Sequence, residues 1–120
     1  MKSYLAYLAV ASVVAAGSAQ AGQCGYDYCW GAVGFGPNGI IGWSFGQWSE
    51  EAAYNVAQDG CGWGCTEVKT FYNTCGAMAR GDGGWGWATE STRAGAEYSA
   101  VNYCSDHGRN GQDVVWACSP

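Results

Sequence analysis

From Trp30 onward, short alternating apolar runs are separated by glycine-rich turns, with two longer stretches of helical spacing set among them. Trp30 to Gly36 and Ile40 to Phe45 flank Pro37-Asn38-Gly39. Asn-Gly tolerates the positive φ that a tight turn needs, so this stretch predicts a β-hairpin. Ser49 is placed to cap a helix over Glu50 to Gln58, with Glu50 and Glu51 in the first turn, opposite the positive end of the helix dipole. Trp48 and Ala53 occupy the positions of a hydrophobic staple. Ala52, Ala53, Val56 and Ala57 form a narrow face of small residues that lets the helix approach a sheet closely, and Gly60 ends it. Thr66 to Thr74 alternates and reads as a returning strand.

The same order then recurs. Gly76 to Arg80, a turn at Asp82-Gly83-Gly84, a strand Trp85 to Thr89, a helix from about Thr92 to His107 and a strand Asp113 to Cys118 complete a second ββαβ unit. Sliding the chain on itself by about 43 positions brings Gly31-Ala32-Val33 near Gly76-Ala77-Met78. The same shift places Gly42-Trp43-Ser44-Phe45 near Gly84-Trp85-Gly86-Trp87, Cys61 on Cys104 and Cys75 on Cys118. Two copies are too few for a solenoid. The expected architecture is therefore α+β: pseudo-symmetric halves, about 30–75 and 76–118, share one mostly antiparallel sheet covered by two helices and stabilised by disulfides.

Ahead of these units, Met1-Lys2-Ser3, the apolar run Tyr4 to Ala16 and Gly17-Ser18-Ala19-Gln20-Ala21 read as the basic, apolar and cleavage regions of a signal peptide, 1–21. The apolar run is well short of the roughly 20 residues a membrane span requires. Gln23 before Cys24 does not suit a lipoprotein acylation site. The expectation is an exported single domain over 22–120, periplasmic or secreted, with no membrane insertion once the leader is cleaved. The net charge is −5, and losing Lys2 with the leader makes it one unit more negative. Nucleic acid and anionic membranes are poor partners for such a chain. Lys69, Arg80, Arg93 and Arg109 are scattered and form no phosphate-binding patch.

The words Trp30-Gly31-Ala32, Gly42-Trp43-Ser44-Phe45-Gly46, Glu51-Ala52-Ala53, Asn73-Thr74-Cys75-Gly76-Ala77-Met78-Ala79, Gly84-Trp85-Gly86-Trp87-Ala88 and Val114-Val115-Trp116-Ala117-Cys118-Ser119 occur in that order. In order and spacing the chain resembles the bacterial exported family known as domain of unknown function 4189, from Trp30 to Ser119. The resemblance implies secretion and a compact cysteine-linked α+β domain; it implies no activity, ligand or functional residue. Family members commonly carry a further cysteine where this chain has Gly111-Gln112-Asp113.

All seven cysteines follow the expected cleavage point, in a compartment where oxidation is normal. The repeat suggests pairing Cys24 with Cys29 and Cys61 with Cys65 in local loops, and Cys75 with Cys118 to tie the two halves together. The last bond closes the longest loop and is worth about 4 kcal/mol in the chain-entropy model, against about 2 for a short one. Cys104 is left unpaired, its family neighbour replaced in the 111–113 region.

Candidate chemistry is sparse. Cys61-Gly62-Trp63-Gly64-Cys65 is followed only by single cysteines and one histidine, which does not make a zinc site. No calcium loop or cofactor motif is present, so no metal and no cofactor are expected. Cys104 and His107, three apart on a helix, are spaced like a thiol and its base, but no orienting residue or oxyanion motif completes them. Cys104 reads better as a buried apolar residue and His107 as a helix C-terminal one. Ser99 and Ser105 lack a Gly-x-Ser-x-Gly context. A glycosidase needs two carboxylates across a cleft. Here Glu50 and Glu51 suit a helix start, Asp82 a turn, and Glu67 and Asp113 strand starts, and two helices on a small sheet leave little room for a deep cleft.

The aromatics remain. Trp43 and Phe45, like Trp85 and Trp87, are two apart on one strand face, suited either to core packing or to an exposed stacking platform. The reading is a small exported binding protein, an effector or inhibitor of another protein, without catalytic activity. The alternatives are a module that recognises peptidoglycan or another glycan through tryptophan faces, and a cysteine-dependent or carboxylate hydrolase.

Overall fold

The computed structural model describes residues 22–107 and 109–120; the expected signal peptide, 1–21, lies outside them. Their order is β1 (Trp30–Phe35), a 3-10 turn (Pro37–Gly39), β2 (Ile41–Gln47), α1 (Glu50–Gly60) and β3 (Glu67–Tyr72), followed by β4 (Thr74–Asp82), β5 (Gly84–Glu90), α2 (Arg93–His107) and β6 (Arg109–Ser119). Each half is ββαβ. Asn38 and Gly39 take φ of 62° and 77° in the first turn, and Gly83 takes 81° in the second. Ser49 caps α1 by accepting from Ala52 N at 3.0 Å, and the Thr92 hydroxyl accepts from Gly95 N at 3.1 Å before α2.

The expected single sheet is instead two antiparallel three-stranded sheets, ordered β2-β1-β3 and β5-β4-β6. The physical reason lies at Asn73, where the alternating run from Thr66 does not continue to Thr74. Asn73 has φ of 54°, a left-handed conformation that Asn tolerates better than most residues, and it turns the chain out of the first sheet. Its side chain secures the bend, accepting from Cys29 N at 2.8 Å and donating to Asp27 O at 3.0 Å. β6 also begins four residues earlier than expected, because β4 is long enough to pair with it from Thr74↔Ser119 to Asp82↔Arg109, with two register shifts.

Residue size sorts the two faces of each sheet. In β1 the small Ala32 points to α1, where it packs with Ala53 and Ala57, while Val33 and Phe35 point the other way. In β4 the small Ala77 and Ala79 pack with Ala96, Ala100 and Cys104 of α2, while Met78 points the other way. The large residues meet between the sheets, where Val33, Phe35, Phe71, Met78, Val115 and Ala117 form the central core. The layers therefore run α1, first sheet, second sheet, α2. Alanine helices can sit this close only where the sheet offers no side chain: a Cβ on Gly42 would lie 2.0 Å from Ala57 O, and one on Gly86 2.6 Å from Cys104 N. The apolar face of α1 is narrower than expected, since Val56 is exposed and Gln58 is buried. Gln58 clamps the next loop through both amide atoms, donating to Cys65 O and accepting from Cys65 N. Trp48 lies largely on the surface instead of packing as a staple.

Three disulfides, Cys24–Cys29, Cys61–Cys65 and Cys75–Cys118, occur among the described residues, and Cys104 is free and buried. Cys75 and Cys118 are direct partners on β4 and β6. That bond therefore closes the second sheet on itself and does not tie the halves together. The halves are joined by the central core and by polar contacts across it. Arg80 donates to Gly36 O at 3.0 Å, Gly46 N donates to the Ser119 hydroxyl, and that hydroxyl donates to Cys29 O.

Candidate functional site

Two sheets packed face to face leave an open side between β2 and β6. A groove of about 510 Å³ runs there, lined by Ile41, Trp43 and Phe45 on β2 and by Val114 to Cys118 on β6. The register explains its composition. Ile41 and Trp43 stand opposite Phe35 and Val33, so the inward face of β1 continues onto β2 and beyond the area that the second sheet covers. Trp43 is 50% exposed and Phe45 60%.

The four aromatics singled out in the sequence are not one platform. Trp43 and Phe45 line the groove, whereas Trp85 and Trp87 are half-buried on β5 and pack against the core. Trp85 meets Phe35 edge to face at 5.5 Å, and the Lys69 ammonium lies 5.9 Å from the Trp85 ring centre and 5.7 Å from that of Trp87. Trp43 stands opposite Val33 and Trp87 opposite Met78, so the strand pairing does not follow the sequence match of Trp43 with Trp85.

The titratable groups take distinct places. Cys104 is fully buried and its thiol contacts Gly84 O at 3.8 Å; the side chain of His107 lies outside the described ones. Glu50 accepts from the Thr70 hydroxyl, and Asp82 accepts from the Asn110 amide at 2.9 Å. Asp113 lies within β6 rather than at its start. Partial burial, then the hydrogen bond and negative charge of Glu97, push its carboxyl up to about 7. Glu97 is held below the usual carboxylate range by its hydrogen bond to Asp113, with Arg93 adding to the effect. Arg93 bonds Glu97 at 3.1 Å, and its guanidinium carbon lies 3.8 Å from the Trp116 ring centre. Sequence reading missed Glu97 and the contribution of β6 to the groove. The alternation Ile41-x-Trp43-x-Phe45 was the available signal for an apolar strand face.

Among the described residues no helix is long and apolar enough to cross a membrane, and the three disulfides point to a non-cytoplasmic, oxidising environment.

The family model described as Domain of unknown function (DUF4189) matches residues 30–118. The uncharacterized proteins Rv1813c of Mycobacterium tuberculosis (strain H37Rv) and Mb1843c of Mycobacterium bovis are each 32% identical over 90 residues, covering 75% of this chain and 60% of theirs. The match thus spans less than two thirds of the length of those relatives. The NMR structure of Rv1813c superposes with a TM-score of 0.59 at 34% identity, covering 76% of this chain and 75% of that one. With its words, its layers and a solved relative in agreement, the chain belongs to the DUF4189 family.

Proposed function

We propose that this chain is an exported binding domain whose β2/β6 groove receives an extended, apolar segment of a partner protein. The observation that carries the reading is the outer edge of β2. Trp43 and Phe45 stand half or more exposed beside an apolar groove, on an edge strand without Lys, Arg or Pro. Such an edge lacks the usual guards against pairing with another strand, and its aromatics are the residue types that dominate protein interfaces.

Charge narrows the partner. The chain carries −5, and Lys69, Arg80 and Arg93 each lie over an aromatic ring, at 5.7, 4.5 and 3.8 Å. The surface field is acidic, which favours a partner of net positive charge. The apolar leader and the oxidised cysteines support export, and the burial of Cys104 supports a packing role for its thiol.

A photoreactive residue at position 45, introduced in the cell that makes the protein, tests the reading against a control at position 98, on the far helix. The expected result is one discrete adduct from position 45, mapped to an apolar segment of the partner, absent from position 98 and lost in Trp43→Ala. No adduct, or the same adducts from both positions, would overturn it.

A further inference from the structure

On the opposite open side, between β3 and β5, lies a second cleft of about 390 Å³ whose chemistry differs from that of the first. Its walls carry Trp30, Tyr72 and Trp87, and among them Glu50, Thr70 and Thr89. Trp30 and Tyr72 lie 4.9 Å apart and tilted, and Tyr28 closes on Tyr72 edge to face at 4.9 Å, so the Tyr72 ring is held by neighbours although it is 48% exposed. The Thr70 hydroxyl donates to the Glu50 carboxylate and so orients it, while Thr74, also in the cleft wall, donates to Glu90 O at 2.7 Å. Both threonine oxygens keep lone pairs for a ligand.

We propose that this cleft is a saccharide site. It stands independently of the protein-binding groove. A pyranose presents an apolar C–H face and an edge of hydroxyl groups, and it needs aromatic rings for the first and fixed acceptors and donors for the second. The cleft supplies both within a volume in the range of small-molecule sites, about 300–1,000 Å³. The carboxylate is the strongest acceptor for paired sugar hydroxyls and is aimed before the ligand arrives. The Glu50 carboxylate lines the cleft and the Lys69 ammonium lies 5.7 Å from the Trp87 ring, so neither sign of charge dominates there, which suits neutral and N-acetylated sugars. The β2/β6 groove, lined by Ile41, Trp43, Phe45 and the apolar run of β6, offers no such acceptor set.

The test is titration of the oxidised, ¹⁵N-labelled domain with cellotetraose, maltotetraose and chitotetraose, each run with Tyr72→Ala, Glu50→Gln and Trp43→Ala variants of unchanged near-UV circular dichroism. Saturable shifts at the amides of Thr70, Thr74 and Thr89 with at least one tetrasaccharide are expected. Tyr72→Ala should weaken binding at least tenfold and Glu50→Gln several-fold, with Trp43→Ala unchanged. Absence of saturable binding with all three sugars would overturn the proposal. So would binding indifferent to Tyr72 and Glu50, or binding lost in Trp43→Ala, which would place the sugar in the other groove.

Discussion

Gly111 stands directly against Cys104: a Cβ at position 111 would lie 3.0 Å from the Cys104 Sγ and 3.2 Å from its Cβ. Across a disulfide with an S–S bond near 2.04 Å, a Cβ and the partner sulfur are separated by about 3 Å, and the two Cβ atoms by about 3.5–4.5 Å, so a shift of β6 outward by a few tenths of an ångström completes the geometry. Gly111→Cys is therefore expected to form a fourth bond with Cys104. Non-reducing peptide mapping would show the 104–111 link and loss of the free thiol, and the short loop it closes should add about 2 kcal/mol in chemical denaturation. A variant with two free thiols after air oxidation would refute this placement of β6 against α2.

Gly42 should tolerate no side chain. In Gly42→Ala the new methyl would meet the Ala57 carbonyl and the Cys61 sulfur, both held by helix and disulfide, so α1 must lift from the sheet. The expected cost is about 1–3 kcal/mol or more, typical of overpacking, measured as a lowered urea midpoint. Gly39→Ala, where a Cβ meets nothing but φ is 77°, should cost about 1 kcal/mol through backbone conformation alone.

Asp113 gives the fold a pH dependence. Its carboxyl is raised from 3.8 to about 7, so between these values the folded chain keeps a proton that the unfolded chain has lost. Stability should therefore fall as pH rises from about 4 to 7 and level off above. Glu97, lowered from 4.5 by its hydrogen bond with Asp113 and then by Arg93, contributes the opposite slope only at the acid end of this range. Asp113→Asn should remove the fall, and urea midpoints at pH 4.5, 6 and 8 would then be nearly equal. A wild-type midpoint that rises across this window would contradict the shared proton.

The Cys75–Cys118 bond spans 43 positions of sequence, the longest separation of the three. Replacing both cysteines by serine should cost about 4 kcal/mol, against about 2 for Cys24 and Cys29 together. Because the bond lies within one sheet, the loss should show first as faster amide exchange in β4 and β6, with β1 and β2 following only on global unfolding.

Local chemistry made much of this legible beforehand. Asn38-Gly39 marked the hairpin, Ser49 the start of α1, and Ala53 and Ala57 the close approach of that helix to its sheet. Asn73 hid the split into two sheets, since a single left-handed asparagine inside an alternating run leaves the period of a strand intact. The match of Trp43 with Trp85 was a weak guide because Trp-x-Trp and Trp-x-Phe align in more than one register, and the strands pair Trp43 with Val33 but Trp87 with Met78. The groove was illegible for a different reason. It joins β2 to β6, far apart in sequence, and each strand alone reads as an ordinary core strand.

Gln23 N donates to Pro120 O at 3.0 Å, so the two ends of the folded domain meet at one point of its surface. The path of the chain through the four layers is nearly a closed ring, and where that ring is cut matters little to what it encloses. A version joined from Pro120 to Gly22 and opened at Gly83, a turn whose Cβ space is empty, should keep all three disulfides and both grooves. It would present the second ββαβ unit in two pieces and the first intact, a rearrangement that tests which half can organise itself without the other.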